Sequence, residues 1–251
     1  MKNIKFIIDD GFCPEFVEGA SFDGIFEIPH IPAPKEASLP TGMIPFTKRK
    51  YSKKHSEFVI FYEHDLKFRD ILVSPQDYME ELKLFPGIIS PDCSLYRDMP
   101  LTLQIANVYM NRAIGYYFWK QGLYTIPNVR WGDERSYTTS LFTEPFAFQG
   151  VDKHSIVSIG TYGCVKGSEN KLHFKAGLAA MLDYLEPETV LVYGSMPDDI
   201  FSDYIDRTNF VRFDDWTKVK KSAAMFEKSL RDIPIIENGK LVGYSTCSDL
   251  F

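Results

Sequence analysis

Short apolar runs alternate with helical patterns along most of this chain, and the alternation narrows its fold to one class. The apolar runs lie at residues 58–62, 87–90, 124–131, 155–159, 189–193 and 209–213. The clearest helical pattern spans about residues 99–121, where apolar side chains recur at spacings of three and four. Strands that alternate with helices form mostly parallel sheets. The sequence therefore predicts an α/β fold with a mostly parallel central sheet.

Two architectures fit the predicted sheet. About six strands are fewer than the eight of a complete barrel, so an incomplete TIM-barrel-like sheet and a doubly wound sheet are both compatible with the pattern. Residues 1–57, which are rich in proline, glycine and charge, predict an irregular N-terminal arm packed on the core. Residues 58–251 predict the α/β core, which ends in a β-hairpin because Asn238-Gly239 is a strong two-residue turn signal.

Charge, hydropathy and cysteine spacing exclude several classes of function. The formal net charge is −6, so bulk charge does not favour nucleic acid, although a local basic patch is compatible with it. No stretch approaches 18 apolar residues, so we expect no membrane span. The N-terminus lacks a secretory pattern, which predicts a cytoplasmic protein with reduced cysteines. The four cysteines are widely spaced, which predicts no metal site, and no motif identifies a cofactor.

Polar residues follow most of the predicted strands, and in a parallel sheet such residues meet at one edge. Asp92 and Asp133 follow two of these strands, and two facing carboxylates can divide the roles of general acid and general base. His64 follows another strand and is the one histidine placed for proton transfer. The candidate catalytic residues are therefore Asp92, Asp133 and His64. Because an aspartate after a strand also often caps the next helix or turn, a structural role for both carboxylates stays open.

Cationic and glycine-rich segments at the same edge predict a site for an anionic ligand. Guanidinium groups bind phosphate or carboxylate through paired hydrogen bonds, and backbone N–H groups of a glycine-rich turn such as 160–168 can cradle a phosphate. That turn matches neither common nucleotide-binding glycine pattern. Internal salt bridges for the arginines, and a plain connection for the turn, are the alternatives. The candidate ligand-binding residues are Arg97, Arg112, Arg130, Trp131, Thr161, Tyr162 and Gly163.

A basic run precedes the first predicted strand. Its cationic residues are Lys48, Arg49, Lys50, Lys53 and Lys54, and Tyr51 lies among them. Such a run can follow a nucleic-acid backbone while the aromatic ring stacks on a base. A solvated loop is the alternative for any run of charges.

Several motifs carry a family resemblance: GMIPF at 42–46, SPDCSLYRDMP at 90–100, NRAIGYY at 111–117, IPNVRW at 126–131, SIGTYG at 158–163 and LVYG at 191–194. With them the chain resembles the family catalogued as domain of unknown function 4417, over roughly residues 40–195. The resemblance implies a protein of bacteriophages, plasmids or integrating elements, and it implies no settled activity. The family more usually has an aromatic or other apolar residue in place of Cys93, which weakens the case for Cys93 as a nucleophile.

Two functions from different classes follow from these observations. The first is an enzyme, for which hydrolysis is one reaction type, with a strand-end pocket that acts on a nucleotide, a sugar phosphate or a nucleic acid. It requires several strand-end residues to surround one pocket, namely Asp92, Arg97, Trp131, Asp133 and Thr161. The second is a non-catalytic accessory protein of a phage or mobile element that binds a host or phage protein, and it predicts a dispersed rim with an exposed aromatic patch.

Overall fold

The fold is described from a computed structural model of the chain. The structure describes residues 13–53 and 55–222 and the backbone of two strands at 233–237 and 240–245. The chain divides into two compact units between Phe213 and Asp214.

Two parallel sheets and one small hairpin make up the β-structure of the first unit. The strands are β1 (Phe22–Asp23), β2 (Ile28–Pro29), β3 (Met43–Pro45), β4 (Phe58–Ile60), β5 (Ile88–Ile89), β6 (Thr125–Ile126), β7 (Ile156–Gly160), β8 (Thr189–Tyr193) and β9 (Asn209–Phe213). Strands β1 and β2 pair antiparallel, whereas β3-β4-β5-β6 and β7-β8-β9 are parallel sheets. A parallel bridge between Asn128 and Ser158 links β6 to β7, and the predicted α/β fold is confirmed.

Within each of the two parallel sheets the strand order follows the chain order, which favours the barrel-like of the two predicted architectures. A doubly wound sheet reverses its strand order at a switch point, and these strands show no reversal. Their inward side chains form one cluster that runs from Met43 of β3 through Ile89 and Ile156 to Tyr193, with Phe213 of β9 packed against it. Among the described strands no pairing joins β9 to β3, so the barrel is not closed there.

The described residues of the first unit contain six α-helices. They are α1 (Arg69–Val73), α2 (Met79–Leu82), α3 (Leu101–Lys120), α4 (Glu134–Tyr137), α5 (Ser168–Leu185) and α6 (Asp198–Phe201). Short 3₁₀ segments lie at Pro14–Phe16, Phe46–Tyr51, Asp65–Lys67, Pro75–Tyr78, Phe146–Phe148 and Ser202–Tyr204. Successive side chains of a strand point to opposite faces, so Val190 and Val192 pack with Leu178 and Leu182 of α5 while Leu191 points to the inner cluster.

The sheet begins earlier in the chain than the sequence predicts. Strand β3 lies inside the stretch that was expected to be an irregular arm, and it pairs with β4 in parallel. Helix α3 begins at Leu101, with Pro100 in the N-cap position. Gly122 follows the end of α3 with φ at +85°, the left-handed conformation that a residue at this position requires.

The second unit contains a helical segment at residues 216–222 and an antiparallel hairpin of β10 (Ile233–Glu237) and β11 (Lys240–Ser245). The hairpin confirms the expectation from the sequence. The Asn238-Gly239 turn itself lies outside the described residues.

Candidate functional site

A cavity of about 770 Å³ opens at the carboxyl ends of four neighbouring parallel strands. Its lining residues come from segments 62–64 after β4, 92–98 after β5, 129–132 after β6 and 159–164 at the end of β7, and from the first turns of α5. The carboxyl ends of parallel strands carry the functional loops in barrels and open α/β sheets alike. The cavity therefore lies where this fold most often places a binding site.

One wall of the cavity is formed by an ion pair between Asp92 and Arg130. Nε and Nη2 of Arg130 donate to the two carboxylate oxygens of Asp92, the latter at 2.6 Å. Only 5% of the Asp92 side chain and 16% of the Arg130 side chain are exposed. The Asn128 side chain donates a further hydrogen bond to Asp92 at 2.8 Å. The carboxylate is thus occupied by three donors, and its main effect is to fix the orientation of the guanidinium.

The third nitrogen of the Arg130 guanidinium points across the cavity wall to the loop after β7. Its Nη1 lies 3.3 Å from Sγ of the half-buried Cys164. Burial alone would lower the pKa of Arg130, but attraction to Asp92 and the hydrogen bonds with Asp92 and Cys164 together raise it well above its ordinary value, so the group is cationic at all physiological pH values. Arg130 is therefore a fixed positive charge in the wall of the cavity.

Tyr62 lies at the inner end of the cavity. Its hydroxyl and the Ser158 hydroxyl are 2.7 Å apart. Burial, and next the neighbouring Asp92 carboxylate, raises the pKa of Tyr62 well above its ordinary value. The phenol is consequently neutral and can serve as a hydrogen-bonding group but not as a base at neutral pH.

Side-chain hydrogen bonds connect the loops that follow successive strands. Thr47, after β3, donates to Glu63 from both its backbone N–H and its hydroxyl. Ser94, after β5, donates to Asp65 in the same double manner. Thr161, after β7, donates to the Ser195 carbonyl at 2.6 Å. The carboxylates of Glu63 and Asp65 thereby stabilise the loops around the cavity.

Aromatic rings line the cavity at two depths. Trp131 is buried against α5, where Gly177 makes room for it, since a Cβ there would lie 2.1 Å from the indole nitrogen. Tyr96 and Tyr162 lie at the mouth and are 56% and 64% exposed. Large exposed aromatic rings beside a cavity provide surfaces on which a planar ligand can stack.

Helix α5 contributes lining residues that the sequence prediction missed. Glu169, Asn170 and His173 lie on the face of its first turns that borders the cavity. Their spacing of three and four residues is the signal that could have found them, since such residues share a helix face. Glu169 also accepts an ion pair from Arg97 at 2.9 Å, with both side chains largely in solvent.

A family model that matches most of the chain shows to which family the protein belongs. The model of the family described as "Domain of unknown function (DUF4417)" matches residues 20–214. This chain belongs to the DUF4417 family. The match confirms the resemblance drawn from the sequence motifs, and it contains all of the residues that line the cavity.

Curated relatives of this DUF4417 chain are bacteriophage proteins. The "Gene 1 protein" of Mycobacterium phage D29 and that of Mycobacterium phage L5 are each 28% identical to it over 148 residues. The aligned part is 59% of this chain, and it covers 52% of the D29 protein and 62% of the L5 protein. The chain thus spans between half and two thirds of the length of these relatives. No solved structure matches it.

The cavity brings together seven of the predicted site residues of this DUF4417 chain. These are His64, Asp92, Arg97, Arg130, Trp131, Tyr162 and Gly163. His64 accepts a hydrogen bond at Nδ1 from the backbone of Leu66 at 3.4 Å. The internal salt bridges that the sequence left open for Arg97 and Arg130 are formed, with Glu169 and Asp92 respectively.

Three predicted site residues lie outside the cavity lining. Thr161 is buried and connects two loops through Ser195, as described above. Arg112 is completely buried in α3 and donates to three backbone carbonyls, of Asn128, Ala147 and Gln149. Burial lowers its pKa to about 10, so it is still protonated at neutral pH. Neither side chain is accessible to a ligand, which corrects the expectation that both reach the strand-end edge.

Asp133 is the third of these residues, and it begins helix α4 instead of facing Asp92. Its carboxylate accepts hydrogen bonds from the backbone N–H and the guanidinium of Arg135 and from the Gln104 amide. The hydrogen bond from the Arg135 side chain is the main reason that the pKa of Asp133 is lowered. The predicted pair of facing carboxylates is therefore not formed, because one of them serves as a helix cap.

Removal of this cap should cost about 1 kcal/mol of unfolding free energy in Asp133→Ala. Because the folded-state pKa is lowered, the carboxylate stabilises the fold above its unfolded pKa and loses this effect as the pH falls through the folded value. The difference between the two proteins, measured by urea denaturation, should therefore be full at pH 7 and shrink below about pH 4. Asp98→Ala, at an exposed position, is the control and should change stability by less than about 0.5 kcal/mol. A loss of unfolding free energy that does not depend on pH would contradict the stabilising role of the charged Asp133 carboxylate.

The basic run forms the 3₁₀ segment Phe46–Tyr51 and the residues after it. Arg49 is buried there, paired with Glu81 at 2.7 Å and stacked 4.0 Å from the centre of the Phe46 ring. It is thus an anchor of the segment and not a surface contact, which corrects its place in the predicted nucleic-acid set. Lys50 and Lys53 are exposed, and Lys54 lies outside the described residues.

In the described part of the chain, no group of three or more His, Cys, Asp or Glu side chains is arranged to hold a metal ion. None of the helices in that part is both long enough and apolar enough to cross a membrane.

Proposed function

We propose that this phage-associated protein binds a nucleotide in the strand-end cavity. One observation carries the proposal. The fixed guanidinium of Arg130 lines the same cavity as the exposed rings of Tyr96 and Tyr162. A nucleotide offers both a phosphate for the cation and a planar base for the rings.

The size and position of the cavity support a ligand of this class. A volume of about 770 Å³ falls within the range of small-molecule sites, roughly 300–1,000 Å³. The loops around it are connected by hydrogen bonds, which keeps the site largely preformed and lowers the entropy cost of binding.

Two arginines are suited to the phosphate. Arg130 is oriented by Asp92, and Arg97 stands at the mouth with 38% of its side chain exposed. The ion pair of Arg97 with Glu169 is solvent-exposed, and such pairs contribute little, so a phosphate can replace the carboxylate at small cost. Gly163 lies in the same wall with open space around its Cα, which lets a ligand approach the backbone closely.

The candidate catalytic residues take different roles in this proposal. Asp92 is a positioning residue, because its oxygens are occupied by Arg130 and Asn128. His64 is the group that we assign to proton transfer in a hydrolytic reaction on the bound nucleotide. Because its Nδ1 accepts a backbone hydrogen bond, Nε2 carries the ring proton and can donate it to the leaving group. Asp133 has no part in the chemistry.

Loss of the Arg97 charge should weaken nucleotide binding about tenfold in Arg97→Gln, because a charge-assisted hydrogen bond contributes roughly 1.5–3 kcal/mol. The binding constants of the four ribonucleoside 5′-monophosphates would be measured by calorimetry. The matched control is Arg207→Gln, since Arg207 forms an ion pair with Asp183 of nearly the same exposure but away from the cavity.

The control variant should bind like the parent protein. Equal losses in Arg97→Gln and Arg207→Gln would contradict the proposed site. A parent protein that binds none of the four nucleotides would favour the alternative from the sequence, a non-catalytic accessory protein that binds a host or phage protein.

A further inference from the structure

We propose that the ligand of the cavity is the terminal nucleotide of a single-stranded nucleic acid whose backbone follows the basic 3₁₀ segment Phe46–Tyr51 and Lys53. The inference rests on the proposed nucleotide site and names the larger molecule to which that nucleotide belongs. It is carried by the position of the basic segment relative to the cavity.

The basic segment starts directly after β3, at the same carboxyl-end edge as the cavity. Strand β3 is the neighbour of β4, whose following residues Glu63 and His64 line the cavity. The two loops are in contact, because Thr47 donates two hydrogen bonds to Glu63 at 2.9 and 2.5 Å. A ligand that leaves the cavity over the β4 loop thus meets the basic segment next.

The lysines of the segment carry charge that the described structure does not neutralise. Within residues 13–53 and 55–222, no carboxylate lies within ion-pairing distance of Lys48, Lys50 or Lys53. The whole chain has a net charge of −6, so three such cations in six residues form a local positive site on an acidic protein. Anionic backbones concentrate at sites of this kind.

Arg49 gives the segment a fixed shape. Its guanidinium pairs with Glu81, donates to the Phe46 carbonyl at 2.8 Å and stacks on the Phe46 and Tyr78 rings. The anchored arginine holds a short helical turn in which Lys50 is exposed and Lys48 is half-buried. A solvated loop, the alternative for this charge run, needs no buried anchor.

Tyr51 adds a stacking surface to the charges. It is 65% exposed, and Nζ of Lys48 lies 5.9 Å from the centre of its ring. Exposed aromatic rings between cations, with Tyr96 and Tyr162 at the cavity, are the combination by which proteins bind unpaired bases. Bases in a duplex are already stacked and paired, so this arrangement favours a single strand.

The test compares a fluorescein-labelled 12-nucleotide DNA strand with the mononucleotides, in the full chain and in the triple variant Lys48→Ser/Lys50→Ser/Lys53→Ser. The slope of the logarithm of the binding constant against the logarithm of the salt concentration changes by about 0.7 for each phosphate contact to a single strand. In the triple variant the magnitude of this slope for the 12-mer should therefore fall by about 2. Mononucleotide affinity should change less than twofold. The control is Lys35→Ser/Lys83→Ser/Lys153→Ser, with three exposed lysines that precede strands, at the other end of the sheet, and the same change of charge.

A circular 12-mer without an end should bind at least tenfold more weakly than the linear strand, since it has no terminal nucleotide to enter the cavity. Equal affinity of the circular and linear strands, or equal slope changes in the two triple variants, would overturn the inference while leaving the nucleotide site intact. The absence of mononucleotide binding would instead contradict the proposed function, and the inference with it.

Discussion

Replacement of Arg112 by methionine should lower the free energy of unfolding by about 4 kcal/mol or more. The guanidinium donates to the carbonyls of Asn128, Ala147 and Gln149 at 2.6, 3.1 and 2.9 Å, and 1% of the residue is exposed. Methionine fills a similar length but leaves three buried carbonyls without a donor. Each hydrogen bond to a charged group contributes roughly 1.5–3 kcal/mol, so the losses together exceed those of an ordinary core substitution.

Chemical denaturation measures this effect, and Arg207→Met provides the control. Arg207 is 39% exposed in an ion pair with Asp183, and exposed pairs contribute about 0–1 kcal/mol. Arg112→Lys should also be strongly destabilised, because one ammonium group cannot reach three carbonyls on different segments. A stable Arg112→Met protein would mean that Arg112 is not the cross-link that holds residues 147–149 to the segment after β6.

Replacement of Asp92 by asparagine should also destabilise the fold, by about 3 kcal/mol or more. The substitution leaves the Arg130 guanidinium without its carboxylate in a site where it is 16% exposed, and the breaking of a buried pair costs roughly 3–5 kcal/mol. Arg130→Gln should cost a similar amount, because it leaves the carboxylate unpaired. The double variant should be more stable than the sum of the two losses predicts, with a coupling energy of about 2 kcal/mol.

The same set of single and double variants distinguishes a positioning role of Asp92 from a catalytic role. If Asp92 only orients Arg130, the double variant keeps its fold but binds nucleotide at least tenfold more weakly. In that case Asp92→Asn does not move the pH profile of any reaction on the bound nucleotide, whereas His64→Gln does. Additive losses of stability would contradict the ion pair, and a shifted pH profile in Asp92→Asn would return Asp92 to the acid–base role first predicted for it.

The strands of the sheet could be predicted because both of their faces are buried. Parallel strands covered on both sides appear in a sequence as continuous apolar runs, as β7 and β8 do. Strand β3 was missed for the opposite reason, since it has three residues, ends in Pro45 and lies at an edge of the described sheet, where a proline is tolerated. Strand β6 is also short, because it ends after two residues at Pro127. Only the bridge between Asn128 and Ser158 then connects the described part of this segment to β7.

The site was predicted in part, and the errors have a common physical cause. Asp92, Arg130 and Trp131 lie three to five residues after the ends of β5 and β6, so strand order brings them together. Asp133 lies seven residues after the end of β6, far enough for the chain to turn and start α4. The three carbonyls that bind Arg112 come from distant segments, and no local pattern in the sequence records such partners.

Titration of the ¹⁵N-labelled chain with a ribonucleoside 5′-monophosphate tests most directly whether the strand-end cavity holds the nucleotide. We predict chemical-shift changes confined to residues 62–64, 92–98, 129–132 and 159–174, including the side-chain Nε–H of Arg130, and smaller changes with the nucleoside that lacks the phosphate. The Nε–H signal reports the guanidinium itself, which is held by Asp92 at the cavity wall. No shifts at saturating nucleotide, or shifts centred on Lys35 and Lys153 at the other end of the sheet, would contradict the account.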